Sequence, residues 1–217
     1  MRTVAFVFLI ALTFAPLGGC RSAMYNALES VGIEKRDVLI RRVSDARDAQ
    51  ESAKEQFASA LEQFRSVVEV DGGDLERTYD RLDAEYERSR SEAQAVTDRI
   101  NAVEQVAEDL FEEWEDELDE YSSAALRGDS QRLLNDTRRR YATLIKTMRR
   151  AENSMQPVLD IFQDQVLALK HNLNAQAIGS LRKELASIEK QTSSLVRQME
   201  RSIAEANEFI RTMSDRK

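Results

Sequence analysis

The chain has 217 residues, with 7 Gly, 2 Pro, 32% charged residues and a formal net charge of -8. So little turn chemistry excludes a β or α/β fold and favours long helices. The acidic balance speaks against nucleic acid as a partner, because phosphate contacts need a cationic surface.

Residues 1–19 read as a lipoprotein signal peptide. Arg2 supplies a short positive region, Val4 to Ala15 is an apolar run, and Leu17-Gly18-Gly19-Cys20 closes it. The run is shorter than the roughly 20 residues that a spanning helix needs. Leu17, Gly18, Gly19 and Cys20 resemble the lipobox of bacterial lipoproteins, with Gly18 standing where Ala or Ser is more common. The resemblance implies signal-peptidase recognition at Leu17, Gly18 and Gly19. It also implies acylation of Cys20, through a diacylglyceryl group on sulfur and a palmitate-type chain on the new amino terminus. Two or more chains give stable attachment where one is marginal. Arg21 follows, not the Asp that resembles an inner-membrane retention signal, so the periplasmic face of the outer membrane is favoured. Cys20 is the only cysteine, so lipidation would leave neither a disulfide nor a free thiol.

Residues 20–36 form the lipidated cysteine and a short tether. Within it Met24, Leu28 and Val31 share one helical face, and Gly32 suits a position just past a helix end. A helical domain over 37–217 follows. Helix one spans about Asp37 to Val70, with the seam Leu39, Val43, Ala46, Gln50, Ala53, Phe57, Ala60, Phe64, Val67 at steps of four and three. Asp71-Gly72-Gly73-Asp74 is a helix-breaking turn without the spaced ligands of an EF-hand.

The second helix carries the longest pattern in the chain, from Leu75 to Tyr121, interrupted only at Ser89 and Glu117. A narrow stripe of this kind demands a partner helix. Its C-terminal third is strongly acidic, from Glu104 to Glu120, whereas the next segment carries Arg132, Arg138, Arg139, Arg140, Lys146, Arg149 and Arg150. A turn at Ser122–Asp129, including Gly128, would fold the two antiparallel and bring Arg138–Arg140 level with Phe111–Glu113. Such pairs contribute register more than stability, since exposed ion pairs supply only about 0–1 kcal/mol each.

A third helix begins near Asp129 or Ser130 and runs through Leu134, Thr137, Tyr141, Leu144, Met148, Ala151, Met155, Val158 and Phe162, bent by Pro157. Near Asn172–Gly179 the spacing slips, by a turn with Asn174 as N-cap or by a coiled-coil stutter. The turn is favoured, because one helix from 130 to 213 would run about 125 Å with little to cover it. The last seam is Leu181, Leu185, Ile188, Thr192, Leu195, Met199, Ser202, Ala206, Phe209, Met213. The expected fold is all-α: an elongated antiparallel bundle of three to four long helices with coiled-coil-like packing. Helix one is shorter than the second, so one end should be thinner.

No catalytic or metal site is expected, and no cofactor. His171 is the only histidine, which rules out paired Glu-x-x-His di-iron ligation and leaves a His-based zinc set short. No Gly-x-Ser-x-Gly elbow or phosphate-binding Gly loop accompanies it. Met148, Met155, Met199 and Met213 raise an alternative, a module that binds an apolar ligand or a partner protein between its helices, because Met-rich surfaces adapt to varied shapes.

Several stretches carry a resemblance: Val31-Gly32-Ile33-Glu34-Lys35-Arg36-Asp37, Asp45-Ala46-Arg47-Asp48-Ala49-Gln50-Glu51, Asp71-Gly72-Gly73-Asp74-Leu75 and Leu169-Lys170-His171-Asn172-Leu173-Asn174-Ala175-Gln176-Ala177-Ile178. They resemble an uncharacterised proteobacterial lipoprotein family, domain of unknown function 2959. The resemblance implies a helical lipoprotein of a Gram-negative envelope and supplies no catalytic residue. The expected role is structural, scaffolding or adaptor, and not enzymatic. The expected partners are the membrane, through acyl groups on Cys20, and envelope proteins or a second copy of the chain.

Overall fold

The computed structural model describes residues 34–69, 75–171 and 175–215. Among the described residues five helices follow one another: α1 (Lys35–Glu69), α2 (Leu75–Leu118), α3 (Ala124–Asn153), α4 (Met155–His171) and α5 (Ala175–Ser214). α1 packs against α2 and α5, while α3 and α4 together pack against α2 and α5 from the other side. With α3 and α4 counted as one interrupted rod, this is an up-down-up-down four-helix bundle.

Polar contacts fix the register. Lys35 Nζ lies 2.7 Å from Glu113 Oε1, and towards the opposite end Gln56 Nε2 donates to Glu85 Oε2 at 2.6 Å. Arg47 Nη1 donates to Asn207 Oδ1 at 3.1 Å, and Arg65 Nε to Glu189 Oε1 at 2.7 Å. The chain therefore reverses between His171 and Ala175, as a turn requires and a stutter does not; the Asn174 cap itself lies outside the described residues.

Every seam position of α1, from Leu39 to Val67, is buried. Small Ala46, Ala53 and Ala60 let the neighbours approach closely, and the large rings fill the centre. Phe64 stacks on Phe162 of α4 with centroids 4.7 Å apart, and Phe57 meets the same ring at 6.2 Å. An aromatic cluster thus crosses the bundle diagonal, where ring pairs add roughly 0.5–1.5 kcal/mol beyond area burial. Met148, Met155, Met199 and Met213 are core residues with 0–2% exposure. They do not form the adaptable surface that would receive an apolar ligand.

Four local expectations are corrected. α2 ends at Leu118, not Tyr121: Leu118 is buried at 4% while Glu117 and Tyr121 face outward. The turn lies at residues 119–123, and Gly128 sits inside α3. Ser123 is the N-cap, its side chain accepting from the Leu126 amide, so the serine sets the start and the glycine does not. Pro157 does not merely bend a helix; the break falls at Ser154, whose amide and hydroxyl both donate to Ala151 O. Because Pro157 lacks the N–H that would bond the carbonyl of Asn153, the ladder ends one turn before it. Helix one starts at Lys35, two residues earlier than expected.

Two substitutions test the local physics. A Cβ on Gly128 would meet only Arg132 Nη1, at 3.6 Å. Gly128→Ala should therefore stabilise the protein by about 0.5–1 kcal/mol in thermal unfolding. Gln50 is fully buried, and neither amide atom has a partner. Gln50→Leu should raise stability by about 1–3 kcal/mol, since an unsatisfied buried polar group is replaced by an apolar one of similar size.

Candidate functional site

The sequence-expected lipidation residues Leu17, Gly18, Gly19 and Cys20 lie outside the described residues. His171 is exposed in the last turn of α4, where it follows Lys170 and a basic side chain complements the helix dipole. Among the described residues, no group of three or more His, Cys, Asp or Glu side chains is arranged to hold a metal ion. Within the same residues, no helix is long and apolar enough to cross a membrane. A groove of about 520 Å³ runs between α1 and α5, past Ala58, Leu61, Thr192 and Val196, and none of the four methionines lines it.

The most distinctive chemistry lies on the α2–α3 hairpin. Trp114 Nε1 donates to Ser130 Oγ at 2.9 Å and closes its neck. Arg138 reaches back across the pair: Nη1 bonds Glu115 Oε1 at 2.5 Å, and the guanidinium lies 5.2 Å from the centre of the Phe111 ring. Phe111 in turn meets Tyr141 edge-on at 5.4 Å. The charge pair therefore sits on an apolar platform that holds its geometry. The register is the expected one, because Arg138 is level with Phe111. Its neighbours behave otherwise. Arg139 and Arg140 both bond Asp136 on their own helix, so only one arginine of that run spans the hairpin.

Arg149 is the second cross-link and the one with most partners. It bonds Glu104 through two nitrogens, Asn101 Oδ1 at 2.6 Å and Glu152 Oε2 at 2.8 Å. The hydrogen bond to Glu104 is the largest cause holding its pKa above the ordinary arginine value. The Tyr141 phenol is pushed up to about 12, by burial first and then by the charge of Glu104. Glu115 lies below the usual carboxylate range because Arg138 bonds it.

Not all the acid is neutralised. Glu112, Asp116 and Glu120 are exposed and make no ion pair with a described residue. Three of the four exposed large hydrophobics among the described residues also lie here: Tyr121 at 42%, Leu126 at 57% and Leu133 at 38%. Sequence periodicity marks the seam and not its flank, so Leu126 and Leu133 were not singled out beforehand. Their signal is a heptad spacing one position off the buried Leu134.

Against this geometry stands one family. The chain belongs to the family described as a protein of unknown function, DUF2959. The match covers residues 24–213, from the tether to the last turn of α5. No curated protein and no solved structure matches the chain. The DUF2959 span takes in the whole bundle, including the α2–α3 hairpin.

Two outcomes follow from the hairpin electrostatics. Arg149→Gln should cost about 1–2 kcal/mol in denaturant unfolding, because it removes charge-assisted bonds from a part-buried site. Arg139→Gln should stay within about 0.5 kcal/mol, because its one pair is exposed. The second outcome concerns acid. Glu115 is depressed in the folded state, so its contribution is present above the unfolded value near 4.5 and is lost as pH falls through the lower folded value. Acid titration of hairpin stability should show this loss in the wild type and less of it in Arg138→Gln.

Proposed function

We propose that this protein is a lipid-anchored helical bundle of the bacterial cell envelope. In this reading it serves a structural or adaptor role and is not an enzyme. The observation that carries the anchor is Leu17-Gly18-Gly19-Cys20 at the end of a short apolar run. Acyl groups on Cys20 would hold the chain at a membrane, with the periplasmic face of the outer membrane favoured by Arg21. Lys35, the first residue of α1, meets Glu113, so in this reading an anchor at Cys20 would lie nearest the end bearing the α2–α3 hairpin.

The scaffold role is supported by how the protein spends its residues. The polar and charged groups of the described helices are used in register contacts and solvated faces, as in the cross-links from Arg138 and Arg149. The remaining exposed carboxylates of Glu112, Asp116 and Glu120 suit a cationic protein surface more than an anionic lipid one. A ligand-binding role has weaker support, since the methionines that would serve it are core residues.

Cell fractionation tests the anchor. Wild-type protein should sediment with membranes and incorporate labelled palmitate, while Cys20→Ser should lose the label and leave the membrane fraction. Membrane association that survives without label would overturn the anchor. Crosslinking in intact cells tests the adaptor role, which predicts envelope proteins captured through α2–α3 and none after charge reversal at Glu112, Asp116 and Glu120.

A further inference from the structure

Many arginines of the bundle bond a carboxylate, but one group of cations does not. α3 and α5 pack side by side, and the reversal between His171 and Ala175 puts Arg150 level with about Arg197. Glu208 agrees with this level: its carboxyl is held below the usual range by Arg211 first, and the charge of Arg140 on α3 also acts on it. Lys146 and Arg150 on α3 and Arg197 and Arg201 on α5 are exposed, and none makes an ion pair with a described residue. α5 turns Glu189 and Asn207 to α1, so Arg197 lies on its outer face and Arg201 leans towards α3. α3 turns Arg138 and Arg149 to α2, so Lys146 lies on its outer face and Arg150 leans towards α5. The result is a shallow valley with cations along both crests and half-buried Thr147 and Gln198 between them. Glu200 and Glu205 are the described acids beside it, so four cations stand against two carboxylates.

On α2 the balance is the opposite. Glu108, Glu112 and Asp116 recur at steps of four along its outer edge, exposed and without an ion pair to a described residue. Of the cations bordering this edge, Lys35, Arg138 and Arg149 bond Glu113, Glu115 and Glu104. Arg127 and Arg132, further along the hairpin, bond Asp119 and Asp129. We infer that the α3–α5 valley receives the α2 edge of a second copy of this chain. Glu108, Glu112 and Asp116 would lie between Lys146 and Arg150 on one side and Arg197 and Arg201 on the other. The inference rests on the reading that the α2 carboxylates face a cationic protein surface, and it names that surface.

Charge and shape select this occupant. A second copy partners both surfaces at once, whereas an anionic lipid surface would meet the valley and leave the α2 carboxylates without a partner. Nucleic acid is opposed by the net charge of -8. A single ridge of residues at steps of four fits the gap between two helices, as ridges do in helix packing. The three carboxylates span about 12 Å of helix, and the cations on either crest span about 6 Å and reach further through long side chains. α2 and α5 lie diagonally across the bundle, so edge and valley face different ways. Two copies cannot make both contacts at once, and association runs head to tail with an edge and a valley left open. The anchor proposed above would confine the copies to one surface and raise their effective concentration, so that a weak contact could assemble rows of them.

Sedimentation velocity of the full chain in non-ionic detergent tests this. At about 0.1 M salt a Debye length of roughly 10 Å screens whole rods from one another but not touching charges, and at about 1 M it falls to roughly 3 Å. The wild type should associate with rising concentration at the lower salt and sediment as single copies at the higher. An edge variant combines Glu108→Lys, Glu112→Lys and Asp116→Lys; a valley variant combines Lys146→Glu, Arg150→Glu, Arg197→Glu and Arg201→Glu. Each should stay single with unchanged helicity. An equimolar mixture of the two should associate again, because a reversed edge then meets a reversed valley, a rescue that misfolded variants could not give. A wild type that stays single at both salts, association that survives either reversal, or a mixture that stays apart would overturn the inference. Wild-type binding to phosphatidylglycerol vesicles that the valley variant loses, without association between copies, would assign the valley to lipid and overturn it equally. If copies stay single while crosslinking in cells through Glu112 and Asp116 still captures other proteins, this inference fails and the earlier reading stands.

Discussion

The fully buried seam of α1 is the constraint on which the rest depends. Nine positions from Leu39 to Val67 are closed to water, so α1 must be flanked on more than one side. α2 and α5 supply the flanks, and α4 sends Phe162 across the centre to Phe57 and Phe64. A stripe of alternating Ala and large residues permits this, because small side chains admit neighbours where large ones fill. With few glycines and prolines the helices run long, and the core becomes a column of layers.

Charge then decides which helix lies beside which, and at what level. Arg149 grips Glu104, Arg138 lies between Glu115 and the Phe111 ring, Lys35 meets Glu113, and Arg65 meets Glu189. Each contact is modest in energy, and each is specific to one register. The acid run at the end of α2 opposes its helix dipole, and arginines from α3 offset it. Where α1 and α5 stop, that compensation is incomplete, and the hairpin is left acidic at its edge and apolar on one face.

Much of this was legible in the sequence. The spacing of α1 gave every buried seam position, including polar Gln50, because a 3.5-residue period reports burial whatever the residue. The level of Arg138 against Phe111 followed from the opposed charge blocks. Local breaks were less legible. Gly128 drew the turn towards itself, yet Ser123 caps the helix first, and a glycine inside a helix costs only about 1 kcal/mol. Pro157 marked the right segment, but the break at Ser154 depends on which carbonyl loses its donor. Glu85 was also missed: it is buried at 7% and held by Arg88 on its own helix and by Gln56 of α1, and the second is a partnership between helices that no single-helix pattern can show. The candidate site was legible as a charge pairing, and the exposed leucines beside it were not. Their exposure comes from where other helices stop.

The central claim is a single rod of four seam-packed members with α2 as the longest unbroken helix, about 66 Å for its 44 residues. Small-angle X-ray scattering of the acyl-free protein tests this directly. A distance distribution with a long tail reaching beyond the length of α2 is the predicted result. A radius of gyration near 16 Å, as a compact globule of this size would give, would contradict it.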